Sequence, residues 1–108
     1  METQGSVPVM NRLSGVLLEM DRNEEALELL RRASDLSPDH PTILTRLGDV
    51  YLKLKDFKKA KEAFQESIQI NPFNPVIHQG LAKVYEATGD PGAALREREI
   101  ARRLLTPR

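Results

Sequence analysis

Residues 41–74 read PTILTRLGDVYLKLKDFKKAKEAFQESIQINPFN, and this stretch decides the fold. Ile43, Leu44, Leu47, Val50, Tyr51 and Leu54 recur at three- and four-residue spacing, which places them on one face of a helix. Pro41 suits the first turn of that helix. Lys55 and Asp56 then interrupt the pattern. A second apolar face follows in Ala60, Ala63, Phe64, Ser67, Ile68 and Ile70, and Asn71 with Pro72 ends it. The stretch is predicted as helix, short turn and helix, two amphipathic rods that bury their faces against each other and against neighbours.

Such neighbours exist in the same chain. Sliding the sequence on itself by 34 residues superposes Leu13, Leu47 and Leu81, then Val16, Val50 and Val84, then Leu17, Tyr51 and Tyr85. Three columns of small residues keep the same register: Ser14, Gly48 and Ala82; Ala26, Ala60 and Ala94; Ala33, Ser67 and Ala101. Pro38 aligns with Pro72. Small side chains at fixed positions mark places where helix axes approach closely. Three units, 7–40, 41–74 and 75–108, fill the chain behind a leader of residues 1–6. The fold class is therefore all-α. An antiparallel helical bundle would also bury amphipathic helices, but it has no need of equal spacing.

The run Leu47-Gly48 through Tyr51, followed by Ala60, Phe64 and Pro72, resembles the tetratricopeptide repeat consensus in period and spacing, over residues 7–108. The first unit departs from it with Ser14 and Leu17, and the third with Arg98 where the family prefers an aromatic. Met10, Leu44 and His78 replace the family's large aromatic near the start of the first helix. The resemblance implies a right-handed superhelix of three helix-turn-helix repeats, an α-solenoid. It also implies that the first helices of successive units line a concave groove for extended or helical peptides.

Composition narrows the chemistry. A chain of 108 residues supports one core, and 40% apolar residues with 5% aromatics and no Trp call for a core of Leu, Ile, Val and Ala. Sixteen basic residues balance sixteen acidic ones, so no global field drives the chain onto nucleic acid or an anionic membrane. The absence of cysteine excludes disulfides, thiolate metal sites and cysteine nucleophiles. Neither a signal peptide nor a membrane span is visible from Met1 to Ser6 or beyond, and a cytoplasmic location is expected.

Candidates for catalysis are few. His40 precedes Pro41 in a turn and is expected to be solvated, while His78 is expected to pack half-buried between helices. No second histidine stands at metal-ligand spacing from either. The glycines match no phosphate-binding loop. Glu24 and Glu25 belong to a first helical turn, where they favour the positive end of the dipole. Lys55, Lys58, Lys59 and Lys61 form a solvated helix start, with acids following at Glu62 and Glu66. No enzyme, cofactor or metal is expected.

A protein or peptide partner is expected instead. Rotation by about 100° per residue puts Thr42, Thr45, Arg46, Asp49, Leu52 and Lys53 opposite the core face of the helix that starts at Pro41. The equivalents include Arg12, Gly15, Leu18 and Glu19 in the first unit, and Val76, Gly80 and Lys83 in the third. The candidate groove is Arg12, Leu18, Thr42, Arg46, Asp49, Leu52, Lys53 and Lys83. Leu18 and Leu52 are expected as off-core apolar contacts, Arg12 and Arg46 as holders of a carboxylate or carbonyl, and Gly80 as a place where the groove loses a side chain. Some tetratricopeptide domains clamp acidic chaperone tails; the carried-over positions are Asn11, Gly15, Arg46, Val76 and Gly80, and only Asn11 and Arg46 suit that role. Alternatives are a homo-oligomer assembled through the C-terminal edge, where Leu95, Leu104 and Leu105 leave apolar area, or a regulatory piece of a larger protein.

Overall fold

The computed structural model describes residues 6–106, so most of the expected leader 1–6 and the last two residues of the third unit lie outside the described residues. Six helices follow one another: α1 (Val7–Glu19), α2 (Asn23–Leu36), α3 (Pro41–Lys53), α4 (Phe57–Ile70), α5 (Pro75–Ala87) and α6 (Pro91–Leu105). The pairs α1/α2, α3/α4 and α5/α6 are hairpins, and the hairpins stack through α2 on α3 and α4 on α5. Among the described residues no helix packs on one more than two places away in the chain. The result is an elongated body of 48 × 32 × 21 Å, a helical-repeat solenoid and not a closed bundle.

Each hairpin turns by the same device. Asp21, Lys55 and Gly89, one period apart, adopt φ of 59°, 66° and 82°. The residue after each returns an N–H to the helix: Arg22 to the Leu17 carbonyl at 2.9 Å, Asp56 to Tyr51 at 2.8 Å and Asp90 to Tyr85 at 2.8 Å. This is the Schellman closure of a helix C-terminus, which favours glycine because a Cβ is strained at positive φ. Only the third repeat supplies glycine there. Asp56 and Asp90 then cap the following helices, accepting from the Lys59 and Ala93 N–H groups at 3.3 and 3.1 Å.

Two apolar clusters form the core. One joins Met10, Leu18, Ala26, Leu30 and Ala33 to Leu44, Leu47, Val50 and Ala63; the other joins Ala60 and Phe64 to Ile77, Leu81 and Val84. Phe64 is fully buried, with its ring edge between two glycines of neighbouring first helices. A Cβ built on Gly48 would lie 2.5 Å from Phe64 Cε1, and one on Gly80 would lie 2.5 Å from Phe64 Cζ. Gly80 therefore faces the inter-repeat seam, which corrects its assignment to the groove. Ile70, expected in the second apolar face, is exposed in the last turn of α4. Leu13 and Val16, which align with the buried Leu47 and Val50, are 44% and 46% exposed because no repeat packs in front of α1 among the described residues.

Buried polar groups are tied locally. The Thr45 hydroxyl donates to the Pro41 carbonyl at 2.8 Å and lies 3.0 Å from Ser67 Oγ, which bonds α3 to α4. Thr45 is thus an inner residue, not the groove residue that rotation placed opposite the core. His78 is buried more deeply than expected: Nδ1 lies 2.8 Å from Glu97 Oε1 on α6, and Nε2 lies 3.1 Å from the Pro72 carbonyl.

Candidate functional site

Two recesses on the α1, α3 and α5 side share Gly15, Glu19 and Arg46, and so form one groove. Its first part lies beside Pro8, Asn11, Arg12 and His40; its second lies beside Leu18, Asp49, Leu52, Lys53 and Lys83. The stacking of hairpins brings these residues together, since helices one period apart present the same positions to the same side. Seven of the eight candidate residues line this groove. Thr42 is exposed in the first turn of α3 and lines neither part.

The role of the leucines changes. Leu18 is only 7% exposed and belongs to the first core cluster, and Leu52 packs partly buried against the second. Neither is an off-core residue. They form the groove floor, because α1 and α3 sit side by side and each closes over the other's flank, a contact that single-helix rotation leaves out.

Charge dominates the walls. Arg12, Arg46, Lys53 and Lys83 stand against Glu19 and Asp49. Lys53 Nζ donates to the Leu18 carbonyl at 3.2 Å and pairs with Asp21 at 3.4 Å. Burial raises the Asp49 carboxyl above its ordinary value of 3.8, while Lys83, Arg46 and Lys53 pull it partly back. The Arg46 guanidinium lies across Gly15, where a Cβ would come within 3.0 Å of Arg46 Cζ. Gly15 is thus the residue that lets this arginine lie flat in the groove.

Among the described residues, three buried polar atoms at the first part of the groove have no hydrogen-bond partner: Asn11 Oδ1, His40 Nδ1 and Arg46 Nε. Buried groups of this kind are costly unless paired, so each calls for an explanation. His40 was expected as a solvated turn residue. It is half-buried, and its position at the α2–α3 turn against Arg46 gave no signal in a single sequence. Among the described residues no group of three histidine or carboxylate side chains is placed to hold a metal ion, and no helix is long and apolar enough to cross a membrane.

At the C-terminal end, Arg98 stands where Phe64 stands one repeat earlier, and it pairs with Glu86 on α5. Beside that pair lies a groove between α5 and α6, with Leu105 61% exposed at its edge and Ala101 at its base. Leu95 is also exposed, and Leu104 is half-buried.

Solved structures repeat this architecture. A crystal structure of MamA superposes with a TM-score of 0.83 at 25% identity, covering 94% of this chain and 59% of that one. A MamA point mutant gives 0.83 at 24% identity and covers 94% and 74%. The first TPR of Spaghetti (RPAP3), bound to an HSP90 peptide, gives 0.86 at 17% identity, covering 92% and 79%. This chain thus spans somewhat over half to three quarters of the chains it resembles. No curated protein sequence matches it. The model of the tetratricopeptide repeat matches residues 6–72, more than half of the chain, where the helix pairs and small-residue columns described above begin. The chain belongs to the tetratricopeptide repeat family.

Proposed function

We propose that this chain is a non-catalytic interaction module that holds an extended, acidic segment of a partner protein in the α1, α3, α5 groove. The observation that carries this reading is that one groove gathers four cationic side chains and, in its first part, three buried polar atoms without a hydrogen-bond partner among the described residues. An extended peptide presents what those atoms lack. Its N–H groups suit Asn11 Oδ1, its carbonyls suit Arg46 Nε, and a carboxylate suits the Arg12 and Arg46 guanidinia. Leu18 and Leu52 supply the apolar floor.

The groove is unsuited to an acidic chaperone tail of the kind bound by the RPAP3 domain. Two positions that such a clamp requires to be cationic are Val76 and Gly80, and Gly80 faces Phe64 in the seam. A partner with internal acidic residues fits better than one defined by its C-terminus.

The test is a peptide-library screen followed by titration. Selected peptides are expected to be rich in Asp and Glu, to bind more weakly as salt rises, and to lose binding to Arg12→Glu/Arg46→Glu while melting stays unchanged. Leu52→Asp is avoided, since Leu52 supports the core. Full binding by the double variant would move the site elsewhere. A second reading, self-assembly through the C-terminal edge, is favoured by the exposure of Leu95 and Leu105.

A further inference from the structure

Asp49 stands at the middle of the groove's charges. Arg46 and Lys53 lie one turn before and one turn after it on α3, Lys83 stands one period later on α5, and Gly15 stands one period earlier on α1. All of them line the same recess, together with Glu19. Three cations thus surround one carboxylate on three sides. On the fourth side the repeat supplies no side chain, and the Arg46 guanidinium lies across that space.

These charges are not discharged against one another. Among the described residues neither Asp49 nor Glu19 makes an ion pair or a side-chain hydrogen bond, and neither does Arg46 or Lys83. Lys53 alone is engaged, with Asp21 and the Leu18 carbonyl. Burial holds the Asp49 carboxyl above its ordinary value, and Lys83, Arg46 and Lys53 oppose this only through space. Asp49 is therefore a half-buried carboxylate kept ionised by the field of cations that an acidic partner also needs. A partner carboxylate drawn to Arg46, Lys53 and Lys83 comes beside Asp49 and covers it from water. Repulsion and lost hydration then act together on the ionised Asp49, and both favour its neutral form.

We propose that Asp49 is a built-in competitor at the centre of the groove, holding the place of a partner carboxylate, so that an acidic segment binds with uptake of a proton by Asp49. This rests on the peptide-groove reading above and specifies what regulates that site. The proton passes from solvent to a carboxylate oxygen of Asp49, and the neutral acid gains an O–H donor toward the carboxylate that displaced it. A bound segment raises the carboxyl further than burial alone. The handicap that Asp49 imposes is thus complete above the bound-state value, shrinks as pH falls through it, and is absent below the free-state value. Glu19 on α1 and His40 at the α2–α3 turn are the other titratable groups of the groove, and Asp21 is paired with Lys53. All three are retained in Asp49→Asn, so comparison with that variant isolates Asp49.

The probe is a fluorescent peptide of alternating Glu and Gly, blocked at both ends. It is titrated into wild type, Asp49→Asn and Asp49→Ala, with melting to verify that each variant folds. At neutral pH and low salt both variants are expected to bind about tenfold more tightly than wild type, and the gap to narrow as pH falls toward about 5. Calorimetry in buffers of different ionisation heat is expected to show proton uptake by wild type that Asp49→Asn lacks. A matching peptide of alternating Gln and Gly is expected to show no preference among the proteins; an equal gain for it would assign the gap to shape and overturn the competition. Equal affinity of wild type and both variants for the Glu peptide, or a gap independent of pH, would also overturn it while leaving the groove reading intact. A Glu peptide that binds none of these proteins would instead overturn the acidic-segment reading itself.

Discussion

Replacing Gly80 by alanine normally helps a helix, because alanine is favoured over glycine by about 1 kcal/mol in a helix interior. Here the added methyl would lie 2.5 Å from Phe64 Cζ and 2.6 Å from Cε1. The ring has no free side to yield toward, since Gly48 stands 2.5 Å from Cε1 by the same measure and Phe64 is fully buried. Overpacking of this kind costs about 1–3 kcal/mol. Set against the propensity gain, Gly80→Ala is expected to destabilise by about 1–2 kcal/mol, or roughly 5–10 °C in melting temperature for a domain of this size. Gly15→Ala, one helix type and two repeats away, is the internal control. Its methyl meets only the tip of Arg46, a flexible side chain that can swing into the groove, so it is expected to stabilise by up to about 1 kcal/mol. Urea denaturation followed by circular dichroism measures both. In a Phe64→Leu background, which removes the ring edge, the penalty at Gly80 should shrink. Equal signs at Gly15 and Gly80, or a penalty unchanged by Phe64→Leu, would refute the seam as described.

Lys55→Gly relieves a non-glycine residue held at φ 66° and is expected to stabilise by about 0.5–1 kcal/mol after the added flexibility of the unfolded chain is counted, read from the shift of the urea midpoint. Ser67→Ala leaves the buried Thr45 hydroxyl with one partner fewer and should cost about 1–2 kcal/mol, whereas Thr45→Val combined with Ser67→Ala should cost less than the sum of the two single changes. Asp49 has a carboxyl raised by burial in the folded state, so the stability it contributes is present below about pH 4 and is lost as pH rises through its folded value. Asp49→Asn is therefore expected to be more stable than wild type at neutral pH and to lose that advantage in acid; a stability difference independent of pH would contradict the burial argument. Ala60→Leu, at a fully buried crossing point, should cost about 1–3 kcal/mol in the same assay.

The period, the helix pairs and the small columns were legible in the sequence because they rest on local patterns: apolar spacing, Pro41 at a helix start, and Ala26, Ala60 and Ala94 at crossings. The groove was legible in outline, since residues one period apart return to the same side. Its floor was not. Leu18, Thr45 and Gly80 were placed by rotating one helix in isolation, but Leu18 is covered where α1 and α3 lie side by side, and Thr45 and Gly80 meet Ser67 and Phe64 of α4. Nor did the pattern announce that Leu13 and Val16 would be exposed, because a column shows what a position packs against only when something stands in front of it.

Contacts confined to neighbouring helices also determine how the molecule answers a pull along its length. No strand or helix clamps the first repeat to the last among the described residues, so tension between the ends meets one seam at a time. The two seams are unequal. Between the second and third repeats Phe64 is wedged between Gly48 and Gly80, whereas between the first and second the corresponding wedge is Leu30, a smaller side chain. Under load a repeat that parts from its neighbour releases about 115 Å of chain at roughly 3.4 Å per residue. The remaining repeats keep their shape behind it. A partner seated across Arg12 and Arg46 spans the seam between the first and second repeats, so cargo and mechanical stiffness would rise or fall together.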